Sequence, residues 1–379
     1  MNIQCFDKNN IHQLRWPDAE IGNLGQQALM AYMQCGIQPY ISNIHTDLRL
    51  LQVDDVILPI TINHYDPQNS YVCSPYNHYF AYGLEEMGKL DNWFFEALCR
   101  GMMKPFCWYY LRNGFDDVVF VNNWLLSTNL YPALSSAQIQ VISDFLIEKF
   151  PDRPIIFRSV DALGNPDLFQ SLLDLDYRMV FSRQVYYQNP QDEQFWKHSQ
   201  LKTDQRKLRN TKYRLLEHHE ISTDEIPRLV ELYRMLYLEK YSYYNPQLTE
   251  AFFASAMKHN WLRFQAFEHD GRIDAMMGYL KCNGIMTQPV FGYDTQLPQN
   301  QNLYRLLSMQ VISEAQQLNH RINVSAGVGA FKRLRGGVPA LEYNAVFDQH
   351  LPPSKQFKWK LLQQILDRIG VPIIQKYGF

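Results

Sequence analysis

Several features that often mark a protein class are scarce in this chain. Its six cysteines include no C-x-x-C pair, which argues against a zinc ribbon or a disulfide framework. We therefore expect free thiols and a cytoplasmic location. The longest apolar runs, such as 118–121, fall far short of the roughly 18–20 residues that a membrane span needs. Residues 1–10 are polar, so we expect neither a signal peptide nor a membrane span.

Charge of one sign is also missing. The formal net charge of −2 over 379 residues provides no broad field that would attract nucleic acid, so any binding of a polyanion must be local. His64 and Asp66 are too sparse to indicate a metal site, and no metal is expected. Aromatic residues, by contrast, reach 14%, which favours aromatic-lined pockets or interfaces.

The first half of the chain alternates short apolar runs with amphipathic segments. This order predicts a mixed α/β domain over residues 1–190, with a boundary at the polar segment that begins at Asn189. The predicted elements are a hairpin over 46–63 that turns at Asp54-Asp55, helices over 84–103, 135–149 and 166–175, and strands over 118–121, 154–159 and 179–187.

The second half repeats this layout after leading helices of its own and predicts a second domain over residues 191–350. An amphipathic helix within 351–379 is expected to pack on the second domain, or alternatively to pair two copies of the chain as a homodimer. The other predicted elements are helices over 197–219, 224–241, 248–259 and 300–318, a hairpin of 262–268 with 273–281, and strands over 284–291, 322–326 and 340–347.

Four stretches of the second half resemble acyltransferases of the GNAT superfamily. EHDGRIDAMMGYL (268–280) is similar to the family's substrate-facing hairpin, and GYDTQLPQNQNLYRLLSMQVISEA (292–315) to its strand-to-helix passage. LKTDQRKLRNTKYRLLEHHEIS (201–222) and INVSAGVGAFKRLRGGVPALEYNAVF (322–347) resemble the opening helix and the ending of the branch that includes the Fem-type aminoacyltransferases. In the first half the resemblance is carried by element order and by LLDLDYRMVFSRQVYY (172–187).

The resemblance implies an α/β fold of two tandem GNAT-like N-acyltransferase domains with a C-terminal helix. It also implies an N-acyltransferase or aminoacyltransferase that moves an acyl group from a thioester or ester to an amine by direct attack. In such enzymes the N-terminus of a helix receives the pyrophosphate of acyl-CoA. The residues that correspond to a donor site are Gly292, Asn300, Asn302, Leu303, Tyr304, Gly327, Gly329 and Lys332.

Three residues are candidates for proton transfer. Tyr293 and Asp294 follow the central strand of the second domain, at the edge where open α/β sheets bind ligands. Asp294 could orient or deprotonate an acceptor amine, and Tyr293 could protonate a leaving thiolate. Glu342, on the last predicted strand, is the alternative base. An aspartate that only stabilises a turn is the competing interpretation of Asp294.

The donor and the partners stay open at this point. The loop from Gln296 to Asn302 contains no glycine, lysine or arginine, so an acyl carrier protein or an aminoacyl-tRNA would suit it as well as acyl-CoA. Lys202, Arg206 and Arg209 share one face of the basic helix and could hold such a carrier, although a merely solvated helix explains them too. A non-catalytic GNAT-like binding or scaffold protein is the alternative to an enzyme.

Overall fold

The computed structural model describes residues 1–17, 20–87 and 93–377. Part of the predicted helix over 84–103 therefore lies outside the described residues, and helices occupy the described parts on both sides. The strands are β1 (Ile3–Phe6), β2 (Asp47–Val53), β3 (Val56–Ile62), β4 (Val119–Val121), β5 (Ile155–Val160), β6 (Arg178–Gln188), β7 (Arg214–Leu216), β8 (Arg263–His269), β9 (Arg272–Cys282), β10 (Ile285–Tyr293), β11 (Arg321–Asn323) and β12 (Val338–Phe347).

Helices pack on both faces of these strands, and π-helical segments occupy Asn77–Ala81, Arg234–Tyr241 and Leu366–Gly370. The α-helices are α1 (Glu20–Cys35), α2 (Tyr82–Met87), α3 (Trp93–Arg112), α4 (Ser136–Lys149), α5 (Pro166–Asp174), α6 (Ser199–Arg209), α7 (Ile226–Tyr233), α8 (Glu250–His259), α9 (Leu303–Gln317), α10 (Gly329–Arg333), α11 (Pro353–Ile365) and α12 (Val371–Tyr377). The expected mixed α/β fold is confirmed.

Local sequence signals account for several of these elements. Ser135 and Gln138 form a reciprocal capping box at the start of α4, which satisfies two backbone donors that the helix leaves unpaired. Asp54 has a φ of 49° at the tip of the β2–β3 hairpin, a left-handed conformation that aspartate tolerates. Both predicted hairpins are confirmed.

The strands form one sheet in the order β1-β2-β3-β4-β5-β12-β6-β11-β10-β9-β8-β7. Two strands depart from the order of the chain. β12, near the end of the chain, lies between β5 and β6, and β6 lies between β12 and β11. The two halves thus exchange their last strands at the centre of the sheet. The domain boundary near residue 190 stays a prediction.

β10 pairs with β11 over only a short stretch, from Ile285 with Arg321 to Thr287 with Asn323, because β11 ends at Asn323. Beyond Thr287, the pairing of β10 with β9 shifts register before it resumes at Val290, and Pro289, which lies inside the shift, has no N–H to donate to a ladder. The part of β10 from Gln288 onward therefore lies outside its ladder with β11.

Three expectations about individual elements are wrong. The basic helix ends at Arg209, where Asn210 caps it, and the chain then forms β7 against β8, so the predicted helix over 197–219 is half its expected length. β11 ends at Asn323, because Ser325 turns the backbone with a φ of 58°.

The third correction concerns the C-terminal tail, which packs on the first half of the chain rather than on the second domain. The rings of Trp359 and Phe115 have centroids 4.4 Å apart, and Tyr110 Oη donates to the Lys358 carbonyl over 2.9 Å. Trp359 belongs to a buried cluster with residues of the first half, such as Phe80, and of β12. Among the described helices, none has the length and hydropathy needed to cross a membrane.

Candidate active site

A cavity lies beside the exchanged strands at the centre of the sheet. Its walls come from β4, β5, β6 and β12 and from the segments around residues 71–78 and 127, and the space between them opens to solvent, with a volume of about 300 Å³ when the open mouth is counted. Polar side chains dominate these walls although the surrounding sheet is apolar. They include His78, Ser127, Arg158, Ser182, Arg183 and Glu342.

Arg183 and Glu342 form an ion pair in the wall of this cavity. The two residues are direct neighbours across the β6–β12 ladder. Arg183 Nε donates to Glu342 Oε1 over 2.7 Å and Nη2 donates to Oε2 over 3.2 Å, and Glu342 is only 2% exposed. Burial alone would lower the pKa of Arg183, but the carboxylate of Glu342 outweighs burial and raises that pKa. Arg183 is therefore charged.

Loops from both halves hold the Arg183 guanidinium in place. Nη2 also donates to the Ser127 carbonyl over 2.7 Å and to Thr128 Oγ1 over 3.1 Å. Nη1 donates to Ser325 Oγ over 3.3 Å, from the loop that follows β11. The orientation of the Glu342 carboxylate is consequently fixed from several directions, which is what a preorganised catalytic group requires.

A neutral histidine lines the same cavity. His78 Nε2 and Ser182 Oγ are 3.0 Å apart. Burial, reinforced by the nearby Arg158 and Arg183, lowers the pKa of His78 to about 3. Ser74 lies four positions before His78 in the sequence. Its hydroxyl donates to Asp116 over 2.5 Å and not to His78.

Arg158 is the second arginine in the wall. It is 6% exposed, its Nη1 donates to Asn123 Oδ1 over 2.7 Å, and its guanidinium carbon lies 5.5 Å from the centre of the Phe120 ring. Burial lowers the pKa of Arg158. A buried guanidinium at a cavity surface is costly unless an anion accompanies it.

A second polar region lies where β10 leads into α9. Asn302 precedes α9 with a φ of 58° and its side chain does not cap the helix, while its carbonyl accepts from the N–H groups of Arg305 and Leu306. Lys240 Nζ donates to Tyr293 Oη over 3.1 Å nearby. A helix N-terminus and a lysine together favour an anionic group at this edge.

The structure gives Asp294 partners of its own. Its Oδ2 accepts from Arg228 Nη2 over 2.8 Å and from Arg272 Nη2 over 2.7 Å, and it is 2% exposed. Burial would raise the pKa of Asp294, but the hydrogen bond from Arg228 and the other donors lower it. A carboxylate with two arginine partners is a poor proton acceptor, so these contacts favour a positioning role.

Gly292 serves close packing. A Cβ atom at this position would lie 2.6 Å from the Leu232 carbonyl carbon and oxygen at the end of α7, so only glycine lets the helix approach β10 this closely. Among the other residues of the predicted donor site, Leu303 is in the core and the Tyr304 ring lies 4.9 Å from that of Phe331. Asn302 Nδ2 donates to the Asn300 carbonyl.

Lys332 shapes the loop after β11. Its ammonium donates to the carbonyls of Val324, Ser325 and Ala326 over 2.6, 3.0 and 2.8 Å, and burial lowers its pKa to about 7. Since Ser325 contacts Arg183, Lys332 supports the central cavity indirectly. Gly327 has a φ of 79° in this loop, and Gly329 is buried at the start of α10. The binding of a cofactor by any of these residues stays a prediction.

Tyr237 lies between the two polar regions. Burial raises its pKa, and the neighbours that add to the shift include Tyr71 from the cavity and Tyr241 and Tyr304 from the α9 edge. The ring of Tyr237 also lies 6.2 Å from that of Tyr241. Tyr237 thus neighbours aromatic residues of both polar regions, and among the described residues no hydrogen bond or ion pair joins Glu342 directly to Tyr293 or Asp294.

The basic helix is anchored at one point and open on the opposite face. Asp204 accepts from Arg305 Nε over 2.8 Å and from Arg335 Nε over 2.6 Å, which fixes α6 on α9 and the segment after α10. The three predicted contact residues, Lys202, Arg206 and Arg209, are exposed.

Sequence reasoning missed most of the central cavity. Arg158 and Arg183 lie within apolar strand segments, and a lone arginine inside such a run is a signal that could have found them. His78 lies in an aromatic and polar run, 71–79, that indicates a possible pocket. Ser182 and Lys240 carry no comparable signal.

One family model matches the part of the chain that runs from α6 to α10. Residues 197–333 match the family model described as an acetyltransferase (GNAT) domain. No curated protein matches the chain in sequence.

Solved structures of similar outline include a conserved protein of unknown function from Bacteroides thetaiotaomicron VPI-5482, at 10% identity and a TM-score of 0.47, covering 91% of this chain and 98% of that one. A tandem GNAT protein from the clavulanic acid biosynthesis pathway covers the same shares at 10% identity and a TM-score of 0.40. FemX shares 8% identity at a TM-score of 0.45, over 59% of this chain and 79% of its own.

Proposed function

Residues 197–333 match the family model of a GNAT acetyltransferase domain, and from this premise we propose that the chain is an N-acyltransferase or aminoacyltransferase whose acceptor amine enters the central cavity. The observation that carries the proposal is the buried Glu342 carboxylate, which Arg183 holds at the cavity wall. Glu342 has one arginine partner where Asp294 has two, and it borders an opening, so of the two carboxylates we take Glu342 as the acceptor of the amine proton. The residues of β9 from Ile273 to Tyr279 are buried, so we place the acceptor at the cavity rather than over this strand.

The donor is proposed to lie at the N-terminus of α9. The N–H groups of its first turn, together with Lys240, would meet the phosphates of acyl-CoA, which we take as the first candidate donor. The part of β10 outside its ladder with β11 offers backbone N–H groups to the oxygen of the acyl carbonyl. Because the loop from Gln296 to Asn302 contains no glycine or basic residue, an acyl carrier protein or an aminoacyl-tRNA is the alternative donor.

The reaction needs no covalent enzyme intermediate. The amine nitrogen attacks the acyl carbonyl carbon, so that a C–N bond forms and the C–S or C–O bond of the donor breaks. Glu342 takes the proton from the amine. Tyr293, whose hydroxyl oxygen accepts from Lys240, gives a proton to the leaving group. Holding both substrates in this geometry would supply much of the rate enhancement.

The test combines binding with turnover. Melting temperatures of the full chain are measured with acetyl-CoA, a long-chain acyl-CoA, an acylated carrier protein and an aminoacyl-tRNA. We expect a concentration-dependent rise with at least one donor. With that donor and a panel of amines, Glu342→Gln should lower kcat by about 100-fold to 10,000-fold, without a matching loss of donor binding. Glu148→Gln, on the exposed face of α4, is the matched control.

A non-catalytic scaffold is the competing interpretation, favoured by the composition of the 296–302 loop. No rise in melting temperature with any donor would support the scaffold over the enzyme. A donor that binds and is turned over equally by the Glu342→Gln variant would retain the enzyme but remove Glu342 as its base.

A further inference from the structure

Arg158 is a buried cation without a carboxylate partner. Its guanidinium carries five N–H donors, and among the described residues only Asn123 Oδ1 accepts from it, at 2.7 Å. No aspartate or glutamate of the described chain forms an ion pair with it. The other arginine of the cavity, Arg183, is by contrast paired with Glu342.

The cavity wall therefore carries an excess of positive charge. Its charged residues are Arg158, Arg183 and Glu342, while His78 is neutral above a pKa of about 3. Two guanidinium groups and one carboxylate leave one uncompensated positive charge. Buried charges in folded proteins are almost always paired, so this wall is complete only when a ligand brings one negative charge.

The chemistry of the wall narrows the ligand further. A planar guanidinium fork matches a carboxylate, which can accept two parallel hydrogen bonds from it. A phosphate dianion would exceed the single excess charge. Ser159, which is 4% exposed, and Asn344, which is 6% exposed, also line the cavity and can serve the remaining polar atoms of a small ligand.

We propose that Arg158 binds the carboxylate of the acceptor, and that the acceptor is a free amino acid whose amine faces Glu342. This inference rests on the proposed function, since it uses Glu342 as the base for the amine. One small cavity contains both the cation and the base, so the two groups of the ligand must be only a few bonds apart. A free amino acid has that spacing, whereas a polyamine or a lysine side chain within a protein lacks a carboxylate near its amine.

Binding of defined probes tests the proposal. The melting temperature of the full chain is measured with each proteinogenic L-amino acid at millimolar concentration, and with the carboxamide of each, which keeps the amine and the side chain. We expect at least one amino acid to raise the melting temperature while its amide does not. Arg158→Gln should weaken that binding about 10-fold to 100-fold, as the loss of charged hydrogen bonds implies. Arg49→Gln, at an exposed ion pair with Asp47, should not change it.

Arg158→Lys covers the case in which the glutamine variant fails to fold. It keeps the charge but not the fork, so we expect binding weaker than in the wild type and specificity for the acid over the amide retained. The proposal is overturned if no amino acid stabilises the protein, if amides stabilise it as well as acids, or if neither Arg158 variant weakens binding.

Different results would refute the carboxylate subsite and the transferase activity. Efficient acyl transfer to amides or to plain amines would overturn the carboxylate subsite and leave the transferase standing. Arg158-dependent binding of an amino acid without acyl transfer from any donor would support the subsite and overturn the transferase.

Discussion

Arg183 on β6 and Glu342 on β12 face each other across one register of the sheet, with the two hydrogen bonds between them at 2.7 and 3.2 Å. They are 159 positions apart in sequence. The pair exists because β12 leaves the second half and inserts beside β6. The same insertion brings the loops that carry Ser127 and Ser325 against Arg183, so both halves of the chain build the candidate site.

Removing one partner of the Arg183–Glu342 pair should destabilise the protein more than removing both partners. Arg183→Met leaves a buried carboxylate without its partner, and we expect the free energy of unfolding to fall by about 3–5 kcal/mol. The double variant Arg183→Met, Glu342→Leu should lose clearly less, because no buried charge remains. Urea unfolding followed by circular dichroism checks both values. If the double variant loses as much as Arg183→Met, the charges are not coupled as described.

Gly292→Ala should destabilise the protein. The new methyl group would meet the Leu232 backbone at 2.6 Å, and overpacking of this kind costs about 1–3 kcal/mol. Gly83→Ala is the matched control, because a Cβ atom there meets nothing within 4 Å and a helical glycine gains about 0.5–1 kcal/mol on replacement by alanine. Thermal unfolding of the two variants should therefore change in opposite directions.

His78 should make stability depend on pH. Its folded pKa of about 3 lies below the ordinary value of 6.5 because of burial, so the unfolded chain binds a proton that the folded chain rejects. Stability is then intact above about pH 6.5 and falls as the pH drops from there towards 3, by up to about 1.4 kcal/mol per pH unit.

The measurement is urea unfolding of the wild type, His78→Gln and His12→Gln between pH 7 and 5. His78→Gln should flatten this part of the profile, whereas His12→Gln, at an exposed side chain, should retain it. Parallel profiles for the wild type and His78→Gln would show that His78 does not stay neutral in the folded protein.

Trp359 should anchor the C-terminal tail to the first half. It is 2% exposed and packs on Phe115, so Trp359→Ala should cost about 3–5 kcal/mol. Phe357, two positions earlier on α11, is 52% exposed, and Phe357→Ala should change stability by less than about 0.5 kcal/mol. Chemical denaturation of both variants provides the comparison, and equal effects would contradict the packing of the tail through one face.

The exposed face of α6 should govern binding of an anionic carrier. We expect Arg206→Glu with Arg209→Glu to reduce the retention of tRNA or of an acidic carrier protein, with a smaller dependence of binding on salt. The melting temperature should not change, because both side chains are exposed and Asp204 anchors the helix. Binding that is unaffected by the reversal and insensitive to salt would leave the helix as a solvated face.

The sequence by itself determined the local elements. Apolar runs on both sides of Asp54, and the serine that opens the helix predicted from Ser135, act over a few residues, and the structure confirms the hairpin and the capped helix. Where the local signal was periodicity alone, as in the basic helix, the prediction ran past Arg209, because pairing of β7 with β8 competes for the residues that follow.

Only the tertiary structure decided where the chemistry is. Whether Glu342 lies near Arg183, and whether Asp294 is free or held by Arg228 and Arg272, depends on pairings between segments far apart in the chain. Periodicity reports which face of an element is buried but not which element covers it. The exchange of β6 and β12 is such a choice of neighbour. It places β12 beside β5, which carries Arg158, the buried arginine for which we propose an anionic ligand.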